Sequence, residues 1–258
     1  MKKNNTMAPV SAEDRQGEIL LAVKEKGAAS IAELARLFSV SEMTVRRVLY
    51  KLADNGQVIR TPGGVMVAPA GSMEKSFLDR SAKMASAKDA IGRAASRLVA
   101  DGETVVLDSG TTTLHVARHL ASKKNLTVVT PSVAVLEELS GGQGVQVRLT
   151  GGVYRRDSHD LVGEAMLESL GNIYADKVFF GGAALSFDMG VMNYDSEMSK
   201  AYLRAGREKI LVIDSSKIAT EAVYRLCPVQ KCDLVIVDKG VKSADLNRLR
   251  KLTNVLVA

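Results

Sequence analysis

The chain has 258 residues, enough for two domains, and its 35 Lys and Arg against 29 Asp and Glu leave a net charge of +6. That excess is too mild to specify a nucleic-acid partner by itself, and the lack of Trp, with 4% aromatic residues, argues against recognition of single strands by base stacking. Two cysteines, Cys227 and Cys232, are too few for a disulfide framework or a metal site, and no apolar run approaches the ~20 residues of a membrane helix. The sequence therefore reads as a cytoplasmic chain with no membrane partner, no metal and no cofactor.

Residues 1–11 read as a flexible tail, because MKKNNTMAPV has basic residues but no apolar segment behind them, unlike a signal peptide. A helix over 12–26 follows, with Ile19, Leu20 and Val23 on its inner face and Gly27 at its end. The stretch 30–51, SIAELARLFSVSEMTVRRVLYK, holds two short helical patterns joined by a tight turn. Ser30 and Glu33 have the spacing of a capping box, and Ile31, Leu34, Ala35 and Phe38 recur at helical spacing. Ser41 is placed as a second N-cap, ahead of the apolar face Val45, Val48, Leu49 and Leu52. The opposite face carries Ser41, Thr44, Arg46, Arg47 and Lys51, short hydroxyls followed by cations, which suits a recognition helix in a major groove. A merely solvated face would explain the charges but not the agreement of turn, caps and basic face in one register. Residues 57–67 then read as strand, turn and strand around Pro62, Gly63 and Gly64, the wing of a winged helix-turn-helix, with Arg60 placed to reach a phosphate. The DNA-binding domain is assigned to 12–68, and its expected DNA contacts are Ser30, Ser41, Thr44, Arg46, Arg47, Lys51, Arg60, Gly63 and Gly64, on double-stranded operator DNA.

The segment VSEMTVRRVLYKLADNGQVIRTPGGV resembles the N-terminal domain of the DeoR family of bacterial transcriptional regulators. It departs from the family pattern at Val48, where an aspartate is common, and at Thr61-Pro62, where a histidine commonly precedes the glycines.

Residues 69–85, opening with APAGS, are assigned as a linker, and 86–258 as a second domain. An amphipathic helix with Ile91, Ala94, Ala95, Leu98 and Val99 on one side runs to Asp101-Gly102. Beyond it, short β-branched runs at 104–107, 126–130, 145–149, 177–180, 210–213, 234–237 and 255–257 alternate with helix-sized segments. That rhythm predicts an α/β domain, a parallel sheet flanked by helices, with a ligand crevice at the carboxyl ends of its strands.

The loops at those ends are glycine- and hydroxyl-rich. Asp108, Ser109, Gly110, Thr111, Thr112 and Thr113 join the first of these strands to a helix, and a helix start with free amides and threonine hydroxyls suits a phosphate monoester. No lysine stands there as in a Walker loop, so nucleoside triphosphates are disfavoured. Thr130, Pro131 and Ser132 follow the second strand; Gly151, Gly152 and Tyr154 the third; Gly181 and Gly182 the fourth; Lys217 lies beyond the fifth.

Over nearly the whole chain, DGETVVLDSGTTTLHVARHL, LTVVTPSVAV, RLTGGVYRRDSHDLVGEAMLESL, DKVFFGGAALSFDMGVMNYDSEMSKAYL and ILVIDSSKIA resemble the effector domain of DeoR-type regulators. The resemblance implies a fold similar to ribose-5-phosphate isomerase and the CoA-transferases, a homo-oligomer, and a phosphorylated sugar or polyol effector. By position it puts the phosphate at 108–113 and the sugar beside Ser132, Gly151, Gly152, Gly182, Glu197, Lys200 and Lys217, with Pro131 replacing a usual asparagine. Thr130, Tyr154 and Gly181 complete the expected effector set. The alternative is a sugar-phosphate isomerase-like enzyme. It is disfavoured because the segment 180–184 carries no carboxylate to serve as the base such enzymes need, and because His115 and His119 alone are weak metal ligands. The expectation is a repressor without catalytic residues, relieved from operator DNA by its effector.

Overall fold

The computed structural model describes residues 12–54, 58–61, 63–67, 77–194 and 197–258. The chain divides into two compact units, Met1–Glu74 and Lys75–Ala258.

In the first unit, helix α1 (Ala12–Lys26) stops at Gly27, whose φ of 75° is a conformation that glycine adopts without strain. Strand β1 (Ala28–Ser30) leads directly into α2 (Ile31–Leu37). Ser30 Oγ accepts from Glu33 N at 3.1 Å and Glu33 Oε2 accepts from Ser30 N at 2.8 Å, a complete capping box. The turn passes through Ser39 at φ 52°, and α3 (Glu42–Asp54) opens with Ser41 Oγ accepting from Thr44 N at 3.1 Å. Strands β2 (Val58–Thr61) and β3 (Gly64–Val67) pair antiparallel, and β1 adds to the far side of β3. Ile19, Val23, Leu34, Val45, Leu49 and Leu52 are buried in one core. The unit is a winged helix-turn-helix.

The second unit runs α4 (Phe77–Ala82), α5 (Ala85–Ser96), β4 (Thr104–Leu107), α6 (Thr111–Leu120), β5 (Leu126–Thr130), α7 (Val133–Leu139) and β6 (Val145–Leu149). It continues with β7 (Val153–Arg155), β8 (Asp160–Val162), α8 (Glu164–Gly171), β9 (Ala175–Phe180), β10 (Ala184–Ser186), β11 (Gly190–Asn193) and α9 (Glu197–Tyr202). The last elements are β12 (Gly206–Val212), β13 (Tyr224–Cys227), β14 (Leu234–Val237), α10 (Ser243–Arg250) and β15 (Asn254–Val257). Seven strands, in the order β15-β14-β12-β9-β4-β5-β6 and all parallel, form the central sheet. These are the seven runs expected from the sequence. Val105, Leu107, Val128, Phe179, Ile210 and Val212 pack with residues of α5, α6 and α7, while Val106, Val129, Val178, Phe180, Leu211 and Val235 pack with residues of α8, α9 and α10. Burial on both faces is why the inner strands read as largely apolar runs, whereas the edge strand β6 alternates, with Gln146 and Arg148 exposed.

Three features lie outside the sequence reading: β1, the hairpin β7–β8, and a small antiparallel sheet β10-β11-β13. Within the stretch read as a linker, residues 77–82 form α4, with Phe77 buried and its N–H donating to Asp157 O at 2.8 Å.

The sheet order contains one reversal. From β4 the chain steps outward through β5 to β6, then returns to the other side of β4 with β9 and steps away through β12, β14 and β15. The reversal falls between β4 and β9, and the carboxyl ends of strands at such a reversal are where open parallel sheets generally take ligands.

Candidate functional site

At that reversal Asp108 follows β4. Its Oδ1 accepts from Ser109 N at 2.6 Å and its Oδ2 from Gly181 N at 2.9 Å, tying the end of β4 to the end of β9. Burial pushes the Asp108 carboxyl above the usual carboxylate range, against the pull of those two amides. Gly110 then caps α6 in extended backbone without a side-chain hydrogen bond, so the amides of Thr111, Thr112 and Thr113 are the unsatisfied donors every helix start carries. The three threonines are buried, and Thr113 Oγ1 donates to Asp108 O at 2.6 Å and Gly110 O at 2.7 Å. Its hydroxyl thus shapes the loop.

The neighbouring strand ends carry similar internal bonds. Thr130 Oγ1 accepts from Ser132 N at 3.0 Å, and Ser132 Oγ caps α7 by accepting from Val135 N at 3.2 Å. Gly151 and Gly152 have φ of 78° and 123°, and a side chain at Gly152 would meet Val162 O. Tyr154 is exposed on β7, its ring edge-on to His159 at 6.3 Å. Lys217 Nζ donates to Gly182 O at 2.9 Å and lies 3.8 Å from Asp214 Oδ2, so it reaches back from the β12 end to the β9 loop. Lys200 is exposed on α9. Glu197 opens that helix, and its side chain, with those of Lys51 and Arg60, lies outside the described residues.

Sequence reasoning missed several residues here. Asp160, 1% exposed at the start of β8, accepts from Arg155 Nε at 2.9 Å and Nη2 at 2.8 Å, and from Ser109 Oγ at 2.8 Å. Ser109 and Asp160 are 51 residues apart, and no local pattern joins them. Tyr202 is 2% exposed; its hydroxyl feels both Asp108 and Ser109 but closes a hydrogen bond with no described residue. Burial, then the Asp108 charge, drives that phenol well above its ordinary range. Lys88 is buried on α5, donating to the carbonyls of Arg80 and Lys83, and desolvation followed by the Lys217 charge lowers its pKa to about 8. The lack of a carboxylate in 180–184 does not leave that loop without one, because Asp108 reaches it.

The histidines of α6 are engaged with α5. His119 Nε2 lies 2.8 Å from Asp89, which also takes Arg93 at 2.6 Å; the Arg93 and His119 bonds hold the Asp89 carboxyl at about 2. Among the described residues no three His, Cys, Asp or Glu are grouped to hold a metal.

On the first unit, Arg46 and Arg47 are exposed on α3, and Arg46 Nη2 lies 3.7 Å from Glu42 one turn back. The Ser41 and Thr44 hydroxyls are 2.9 Å apart at the start of that helix. The Ser30 hydroxyl is bound in its capping box, Gly63 is exposed at φ 79° and Gly64 is buried.

Residues 15–69 match the DeoR-like helix-turn-helix domain, and residues 83–239 match the DeoR C terminal sensor domain. The chain belongs to the DeoR family. Its DeoR relatives include the uncharacterized HTH-type transcriptional regulator YgbI of Escherichia coli, 34% identical over 98% of this chain and 99% of that protein. The glycerol-3-phosphate regulon repressor of E. coli is 30% identical over 87% of this chain and 90% of its own. The HTH-type transcriptional repressor GlcR of Bacillus subtilis is 29% identical over 88% of each. Among solved structures, ribose 5-phosphate isomerase A of Methanocaldococcus jannaschii overlaps 53% of this chain and 55% of its own at 14% identity, with a TM-score of 0.38. That overlap is loose, and the fold of this DeoR protein rests on its own sheet order. Among the described residues no helix is long and apolar enough to cross a membrane.

Proposed function

We propose that this DeoR-family regulator is a homo-oligomeric repressor of a carbohydrate catabolic operon, released from its operator by a phosphorylated sugar or polyol bound at the β4–β9 crevice. One observation carries the reading. The sheet order reverses between β4 and β9, and at that place α6 begins without a side-chain cap, so the amides of its first turn are available to an anion. Lys217, held against Gly182, adds a positive charge on the same side. The relatives named as repressors, one of a glycerol-3-phosphate regulon, agree with it.

On the DNA side, Arg46 and Arg47 of α3 read bases or grip phosphates, Thr44 and Lys51 flank them, and the wing carries Arg60. The ligand acts only through unequal affinity for the DNA-competent and DNA-released arrangements. The protein works on chromosomal DNA, in the cytoplasm, and catalysis is not part of this reading. Asp108 and Asp160 are engaged as acceptors, by amides in one case and by Arg155 in the other, which is an arrangement for binding.

A thermal-shift screen of sugar and polyol phosphates on the full chain tests the sensor half, since a ligand that binds the native state alone raises the melting temperature. A hit among phosphorylated ligands, with no shift from the same unphosphorylated sugars, is the expected result. Turnover of ribose 5-phosphate would return the isomerase reading.

A further inference from the structure

Ser109 and Arg155 commit their donors to a buried carboxylate at the very place where the crevice is read as taking a phosphate. Ser109 Oγ and the Arg155 guanidinium both bond to Asp160, at 2.8 Å and at 2.9 and 2.8 Å. Ser109 lies one residue before the Gly110 cap of α6, so the carboxylate of Asp160 is bonded to the residue that leads into that helix start. The hydroxyl of Tyr202, buried within reach of the Asp108 charge, closes no hydrogen bond with a described residue. A phenol so placed calls for a further polar partner.

We propose that Asp160 is an internal anion that competes with the ligand: a phosphate entering the crevice takes Ser109 and Arg155 from it. The inference rests on the phosphate reading above and adds Arg155, Asp160 and Tyr202 to the site. A phosphate drawn to the same guanidinium places a second anion beside Asp160, and the repulsion between the two charges favours displacing Asp160 and the hairpin that carries it.

That hairpin is wired outward. Val133 N donates to His159 O at 3.0 Å and Leu161 N to Pro131 O at 2.9 Å. Phe77 N donates to Asp157 O at 2.8 Å, and the rings of Phe77 and His159 lie 5.2 Å apart. Phe77 begins α4, the first described element after the DNA-binding unit. Moving Asp160 therefore loosens the contacts that hold α4 against the hairpin at the start of the sensor unit.

The test titrates inorganic phosphate into the full-length wild type and Asp160→Asn. Removing the competing charge is expected to tighten phosphate by about tenfold or more, about 1.4 kcal/mol. Equal or weaker binding by Asp160→Asn, with clear binding by wild type, overturns the competition and leaves the phosphate site standing. No binding by either protein overturns both. Should Asp160→Asn fail to fold, amide exchange of the wild type decides. Phosphate is expected to protect the Thr111, Thr112 and Thr113 amides and to speed exchange at Phe77 and Leu161; slower exchange at all five would contradict the proposal.

Discussion

Ser30 is a candidate DNA contact and, as its spacing to Glu33 predicts, also the cap of α2, its hydroxyl and amide both bound to Glu33. Ser30→Ala should therefore act first on stability, lowering it by about 0.5–2 kcal/mol as the loss of other N-caps does, which urea denaturation of the DNA-binding unit's transition would read. His115 makes a second residue-scale case. It is buried, its Nδ1 has no hydrogen-bond partner among the described residues, and desolvation, followed by the Arg118 charge, lowers its pKa below 6.5. With the folded pKa depressed, the unfolded chain takes up the proton first. Stability from neutral His115 is thus full above about pH 6.5 and drains away as pH falls below it. Melting temperatures measured from pH 7.5 to 5.5 should fall less steeply for His115→Gln than for wild type.

At the scale of elements, the recognition helix and the packing of α5 on α6 carry the clearest predictions. Arg46 and Arg47 stand exposed on α3 while Val45, Leu49 and Leu52 hold the opposite face in the core. Replacing both arginines by Ala should abolish specific DNA binding, leave the circular dichroism unchanged, and flatten the salt dependence by a slope of about 0.9 for each phosphate no longer neutralised. Gly92 of α5 packs so close to the His115 carbonyl of α6 that an added Cβ would overlap it. Gly92→Ala should cost about 1–3 kcal/mol by forcing the two helices apart, measured by thermal unfolding of the sensor unit. These elements differ in how far the sequence reveals them. The inner strands of the central sheet could be read because their apolar residues are buried on both faces, the edge strand β6 because its valines alternate with polar residues, and the helix starts because Ser30 and Ser41 cap locally. Strands β7, β8 and β10 have three residues each and pair through turns that leave no periodic signal. Helix α4 hid in an expected linker because the burial of Phe77 depends on the hairpin turn at 157–159, some 80 residues later. The site was legible where one loop supplies it, as at 108–113, and hidden where the partner is distant, as with Asp160 for Ser109 and Tyr202 beside Asp108.

The whole molecule joins a winged helix-turn-helix to a sensor domain, and the proposed function has the first hold DNA and the second take a phosphorylated ligand. Lys217 tests the second without disturbing the first. Its ammonium bonds the Gly182 carbonyl at the crevice, so Lys217→Ala should bind operator as wild type does but need at least about tenfold more ligand for release. The most direct measurement of the central claim is fluorescence anisotropy of a duplex selected by the full chain from random-sequence DNA, titrated with the phosphorylated sugar or polyol that most raises the melting temperature. The account predicts release of the duplex as that ligand saturates, and no release with its unphosphorylated counterpart. Anisotropy that stays high while the ligand is demonstrably bound would contradict it.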